Sequence, residues 1–385
     1  MALKGLRVIE IAGLAPVPFC GMLFADFGAT VIRVDKAKTR NLLTTDKLGR
    51  GKQSIAVNMK HPEGRLIVQK LASKADVLLD PFRPGVLEKL KLGPADLMTD
   101  NPRLIYGRIS GFGQTGPISL DAGHDINYLS LSGVLSRFGK KDEPPFPVNL
   151  IADFAGGGLA CAFGILMALF ERQTSGKGQV VDSSMTEGAA YVGSFFFKTR
   201  ELPFFNNPTG ENLLDGGSHF YNTYKTKDGK YMAVGAIERQ FYEKFIQGMG
   251  LEGTEVHENQ FSDWVQHKET VGNRFLTKTQ KEWTEIFEGT DACVTPILEL
   301  DEAPYHHQNA NRQSFSQNPY TEYWEPEPAP KLSRTPGKAN LSRPDPEIGE
   351  NTVEILSAIG YNGAAIKDLI EKEIVEATAL RKILI

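Results

Sequence analysis

Residues 6–34 read LRVIEIAGLAPVPFCGMLFADFGATVIRV, and this stretch decides the fold. Leu6-Arg7-Val8-Ile9-Glu10 is a strand, Pro16 and Pro18 suit a helix start, Gly28 suits its end, and Val31-Ile32-Arg33-Val34 is a second strand. Strand, helix, strand makes one βαβ unit, which implies parallel pairing. A helix from about Pro62 to Ser73, the strand Asp76-Val77-Leu78-Leu79 and the run Leu104-Ile105-Tyr106 continue the alternation. The expected fold class is therefore α/β, with a Rossmann-like large domain over 1–190. Its first strand-to-helix turn, Ala12-Gly13-Leu14-Ala15-Pro16, is not G-x-G-x-x-G, so a nicotinamide cofactor is not expected.

Beyond Asp182 the texture changes. Tyr221 to Tyr224 and Tyr231 to Val234 are short aromatic and β-branched runs joined by Lys227-Asp228-Gly229-Lys230, a hairpin signal. The expectation is a linker over 191–220 and a smaller α+β domain over 221–318. Seven prolines in 319–346 favour an extended return linker, and a helical block from Asn351 to Leu380 is expected to pack back on the large domain as part of 347–385.

Composition narrows the functions. Across 385 residues, 43 Lys plus Arg face 47 Asp plus Glu, a net charge of -4 that gives no global attraction to nucleic acid or anionic membrane. Any anionic ligand must then meet a local cluster. Three cysteines, Cys20, Cys161 and Cys293, are too few for a disulfide framework or a zinc cage, and no metal site is expected. The most apolar stretch, Phe163 to Phe170, lies in a candidate helix from Phe154 to Arg172 and is shorter than the roughly 18 to 20 residues that span a bilayer. A buried core helix and no membrane insertion are expected. A strand over the first ten residues leaves no room among them for a charged and then an apolar leader region, so secretion is not expected, and the final Ile383-Leu384-Ile385 does not spell Ser-Lys-Leu.

Three residues are candidates for chemistry. His124, in Gly123-His124-Asp125-Ile126-Asn127-Tyr128, is suited to proton transfer near neutrality, or is a helix-start histidine bonded to a carbonyl or carboxylate. Asp153 stands before a long apolar helix, where it is either a carboxylate with a task or an N-cap contributing about 1 kcal/mol. A cap alone leaves Gly156-Gly157-Gly158 unexplained, since each helical glycine costs about 1 kcal/mol against alanine; a backbone or a ligand must approach closely there. Bare first-turn amides at that point would suit an oxyanion. Glu238 either orients an imidazole or is a surface residue opening a helix. Asp215-Gly216-Gly217 reads first as a turn. Lys36, Lys60, Arg83 and Lys89 follow strands or open helices, the side on which open α/β sheets bind ligands.

Taken together, Gly123 to Tyr128, Ala152-Asp153-Phe154-Ala155-Gly156-Gly157-Gly158, Asp215-Gly216-Gly217 and Ala236-Ile237-Glu238 closely resemble the racemases of the family III CoA-transferase superfamily. The resemblance covers almost the whole chain. It implies the family III fold, with two subunits threaded through each other as an interlocked homodimer. It implies inversion of the chiral carbon beside a CoA thioester in 2-methyl-branched acyl chains, with no organic or metal cofactor, and a peroxisomal or mitochondrial compartment. By the same resemblance His124 and Asp153 are the two bases, Glu238 holds the histidine, and Asn149 and Tyr221 are hydrogen-bond partners of Asp153. The implied CoA contacts are Lys36, Val57, Asn58, Met59, Lys60, Arg83 and Lys89, with Gly123, Asp125, Ile126, Asn127 and Tyr128. Lys36 and Lys89 stand where relatives carry Arg, keeping the cation but not its bidentate fork. The rival on the same fold is a CoA transferase with Asp153 as covalent nucleophile, which has no need of His124. A non-catalytic acyl-CoA-binding protein is the alternative of another class.

Overall fold

A computed structural model describes residues 1–38, 47–140 and 147–378; the expectation at Ile383-Leu384-Ile385 lies outside them. The chain forms two compact units. The first comprises Met1–Ser132, Pro147–Val192 and Gln308–Ile385, the second Gly133–Phe146 and Gly193–His307. This division differs from the expected one. Residues 133–146 leave the large domain, most of 191–220 groups with the second unit, and 319–346 groups with the first.

The first unit is built on a seven-stranded sheet: β1 (Arg7–Ile11), β2 (Thr30–Lys36), β3 (Gln53–Val57), β4 (Val77–Asp80), β5 (Ile105–Ser110) and β6 (Val180–Ser184) run parallel. A two-residue strand at Val375–Glu376 pairs antiparallel with β3 at one edge. The order is Val375–Glu376, β3, β2, β1, β4, β5, β6. Strands β1, β2 and β4 carry runs of Val, Ile and Leu because helices cover both faces of such a sheet. The strand β3 has no counterpart in the sequence analysis, because its apolar core is only Ile55-Ala56-Val57. The winding runs outward from β1 through β2 to β3, then restarts at β4 on the other side, which leaves a crevice above the carboxyl ends of β1 and β4.

Ion pairs knit this unit. Lys52 and Glu10 are both fully buried, 2.9 Å apart, and Lys52 Nζ also donates to the Pro18 carbonyl at 2.9 Å. Arg50 grips Asp26 through two guanidinium nitrogens and reaches Glu325 at 3.0 Å. That last contact, with Lys338 N–H donating to the Asp26 carbonyl and Arg343 to that of Lys52, explains why the proline-rich segment is attached to the large unit.

The apolar helix starts earlier than expected. A π-helical stretch at Leu150–Leu159 runs on into an α-helix at Ala160–Ser175. The full 26 residues are long and apolar enough to cross a membrane by length and composition. The helix is not the buried core element expected. Cys161, Ala162, Ile165 and Ala168 face inward, while Phe163 and Phe170 are 59% and 76% exposed, with Leu159, Leu166 and Met167 on the same side. Both faces are apolar, and one chain covers only one of them.

The glycine run is explained by backbone. A Cβ on Gly156 would meet the Ala189 nitrogen at 2.5 Å, and one on Gly158 the Pro16 carbonyl at 2.7 Å. Reciprocally, a Cβ on Gly188, in the helix Met185–Val192, would lie 1.9 Å from the Gly156 carbonyl oxygen.

The second unit packs a three-stranded antiparallel sheet, β7 (Tyr221–Lys225), β8 (Tyr231–Gly235) and β9 (Val294–Pro296), against the helices Arg239–Met249, Trp264–Phe275 and Gln280–Phe287. The hairpin read at Lys227 to Lys230 joins β7 to β8.

Gly188→Ala places a methyl against backbone that has nowhere to move. The expected loss is about 1–3 kcal/mol or more of unfolding free energy, measured by urea denaturation; a neutral effect would disprove the close helix crossing.

Candidate functional site

At the carboxyl ends of β1, β4 and β5 lies a cleft of about 680 Å³. Its walls are Gly13 to Val17 after β1, Pro81 to Val86 after β4, Ile109 to Phe112 at the end of β5, the loop Ser119 to His124, and Asp153 and Met185 from the two crossing helices. This is the reversal point of the sheet. His124 and Asp153, 29 residues apart in sequence, line this one cavity.

His124 immediately precedes the helix Asp125–Leu131, with its own backbone extended. Its N–H donates to the Asn127 side chain at 3.1 Å. The Tyr128 hydroxyl donates to the Gly123 carbonyl, and the Tyr128 ring fills the space a Cβ would need at Gly111 and Gly123. Phe112 meets that ring edge-on at 5.1 Å. The histidine segment is thus pinned from both ends, and the imidazole itself is exposed to the cleft.

Asp153 does not cap the helix, as its position before Phe154 suggested; it sits inside the π-helical stretch. The first-turn amides are capped by Asp125, whose Oδ1 accepts from Ala152 N–H at 3.1 Å and Asp153 N–H at 2.8 Å. Those amides therefore do not face the cleft as donors. The Asp153 carboxylate is left to Asn149, whose Nδ2 donates to Oδ2 at 2.7 Å from a left-handed backbone (φ 56°) that asparagine tolerates. Asp153 is 8% exposed. Burial pushes its carboxyl up to about 6; the Asn149 bond lowers it, the Asp125 charge raises it and His124 lowers it. That places it in the range where an imidazole ordinarily titrates.

The remaining expected residues divide. Arg83, Gly123, Asn127 and Tyr128 line the cleft, and Arg83 Nη1 holds the Leu120 carbonyl at 2.6 Å. Asp125 is buried, and Ile126 is exposed but outside the cleft walls. Lys36 and Val57 are register partners at the ends of β2 and β3, followed by Asn58 and an exposed Lys60, while Met59 packs on the hydrophobic core. Lys89 ends the short helix Val86–Lys89. Glu238 and Tyr221 belong to the second unit. There Glu238 stands before the helix Arg239–Met249 without a side-chain capping bond, and Tyr221 lines a depression with Gly235 and Cys293.

Sequence reading places Asp80, the last residue of β4, in the Asp80-Pro81-Phe82-Arg83 loop without giving it a role of its own. Burial raises it to about 6; it accepts from Phe82 N–H at 2.9 Å and lies 3.3 Å from Arg108. It thereby fixes the Pro81 to Arg83 wall. Its position at a strand's carboxyl end was the available signal.

Residues 3–352 match the family model described as CoA-transferase family III. The chain belongs to CoA-transferase family III. Within that family it is 51% identical to alpha-methylacyl-CoA racemase of Mus musculus over 383 residues, and 51% identical to the Homo sapiens protein of that name over 384, covering 99% of both chains in each case. The family III fold is seen also in a CAIB/BAIF family protein from Brucella suis, with a TM-score of 0.79 at 24% identity, covering 93% of this chain and 99% of that one.

A raised carboxyl pKa means the folded state holds the proton more tightly than the unfolded state. The Asp153 contribution to stability therefore declines as pH rises from about 4 to about 6, and the full penalty persists above that. Asp153→Asn removes it. Its melting temperature is expected to exceed wild type by an increment that grows between pH 4 and 6 and then levels off; a constant increment would refute the raised pKa.

Proposed function

We propose that the chain epimerises the α-carbon of 2-methyl-branched acyl-CoA thioesters, with Asp153 and His124 as the two proton carriers. The observation that carries this reading is that a carboxyl group raised to about 6 and an imidazole line the same cleft. Inversion through a planar enolate needs one group on each face of the carbon, each able to hold and release a proton near neutrality. The racemase relatives support the same reading.

In one direction the Asp153 carboxylate takes the α-proton. The C–H electron pair moves into the enolate, placing negative charge on the thioester oxygen, and the imidazolium of His124 returns a proton from the opposite face. The neutral imidazole and protonated Asp153 then stand ready for the reverse. With the Ala152 and Asp153 amides bound to Asp125, the enolate oxygen falls to the first-turn amides of Asp125–Leu131, at Asp125 and Ile126, which have no partner within their own helix. Glu238 as the carboxylate that holds the imidazole, Tyr221 as a partner of Asp153, and the Lys36, Val57 to Lys60, Arg83 and Lys89 set as CoA contacts complete the proposal. No metal or organic cofactor enters it, so turnover is expected to survive EDTA and gel filtration.

The exposed apolar stripe of Ala160–Ser175 supports a homodimer. Its helix opens on the buried site and crosses neighbours at backbone contact, so it is anchored in a globular unit and its bare face suits a second copy better than lipid. Light scattering should give twice the chain mass. Imaging of a tagged copy tests a peroxisomal or mitochondrial compartment.

The purified protein, given one epimer of a 2-methylacyl-CoA in deuterated water, is expected to deposit deuterium at the α-carbon with no acyl acceptor present. His124→Ala and Asp153→Ala should each lose about 100-fold or more of the epimerisation rate, and Glu238→Gln a smaller part. CoA transfer that appears only on adding a free carboxylic acid, and that survives His124→Ala, would instead establish Asp153 as a covalent nucleophile.

A further inference from the structure

We propose that Asp125 is a positioning residue that sets the separation and angle between the two proton carriers through its side chain. It is adjacent to His124 in the chain, and its Oδ1 accepts N–H bonds from Asp153 itself and from Ala152. At 4% exposed, its side chain is turned to protein backbone. An aspartate receiving two amides at a helix start is by itself an ordinary cap. Here the capped helix is not the one Asp125 begins. The carboxylate ties the segment bearing one base to the backbone bearing the other, across 28 residues of sequence.

Helix packing places both segments, but the other side-chain hydrogen bonds at each base stay within its own segment. Asn127 and Tyr128 hold the histidine side, and Asn149 holds the Asp153 carboxylate. Neither set fixes one base relative to the other. The bond through Asp125 does, and proton transfer to opposite faces of one carbon is steep in that distance. Its charge acts on the same carboxyl: the titratable and charged groups that bear on Asp153 and its neighbour Tyr128 are Asp125, His124 and Arg83.

This assignment rests on the racemase reading, and two variants separate them. Asp125→Ala removes both acceptor bonds and is expected to lower kcat about 100-fold for either epimer, with KM little changed. Asp125→Asn keeps an amide oxygen for the two N–H groups and is expected to recover most of that loss. Without the anion, the acidic limb of kcat/KM governed by Asp153 as base should move to lower pH. Carboxyl NMR titration of Asp153 in the same variants should show the same downward shift whether or not turnover occurs. Melting temperatures identify a variant that is merely unfolded. Wild-type protein without α-proton exchange overturns the reaction and the catalytic role assigned here. Wild-type exchange left intact by Asp125→Ala, or an Asp125→Asn profile that does not move, overturns this inference alone.

Discussion

The last turn of the Leu150–Leu159 stretch lies so close to its neighbours that no side chain fits between them. Gly156 faces the backbone at Gly188 and Ala189, and Gly158 faces the Pro16 carbonyl. Three glycines in a row weaken a helix, so packing must hold what propensity does not. What the close approach achieves is placement. It sets the glycine turn beside the segment after β1, where the winding of the sheet reverses, and so holds Asp153, one turn earlier, over the crevice that the reversal opens. The wide π turns belong to the same solution; such irregular turns gather where a side chain has to be aimed.

The chemistry then follows from how unevenly two carboxylates are treated. Asp125 is given two backbone donors, while Asp153 receives one side-chain amide in a buried position and is pushed up to about 6. One acid is held as structure and its neighbour is made easy to protonate. Such a site is destabilising in isolation, and the surrounding sheet, with its buried Arg50–Asp26 and Lys52–Glu10 pairs, must hold it in place.

Much of this was legible. The strand–helix–strand rhythm from Leu6 to Val34 gave the parallel sheet, because runs of Val and Ile bounded by proline and glycine have few other uses. The histidine segment and the aspartate before the glycines stood out because their residue types were poorly explained by local structure alone. What stayed hidden was long-range. No local pattern says that Asp125 caps a helix 27 residues away, that β3 extends the sheet beyond β2 from three apolar residues, or that 319–346 is fastened to the large unit through Glu325. The apolar helix misled for a related reason: hydrophobicity reports that a face is covered, and not by what.

The Lys52–Glu10 pair has a consequence for how the sheet is assembled. Lys52 precedes β3, Glu10 lies on β1, and β2 stands between them. If β3 slid one residue along β2, the ammonium would be sealed in the interior away from both Glu10 and the Pro18 carbonyl. An uncompensated buried charge of that kind is penalised by several kcal/mol, whereas Ile55-Ala56-Val57 alone would discriminate poorly between alignments. The pair thus favours the native register at β3, a strand whose own hydrophobic signal is short.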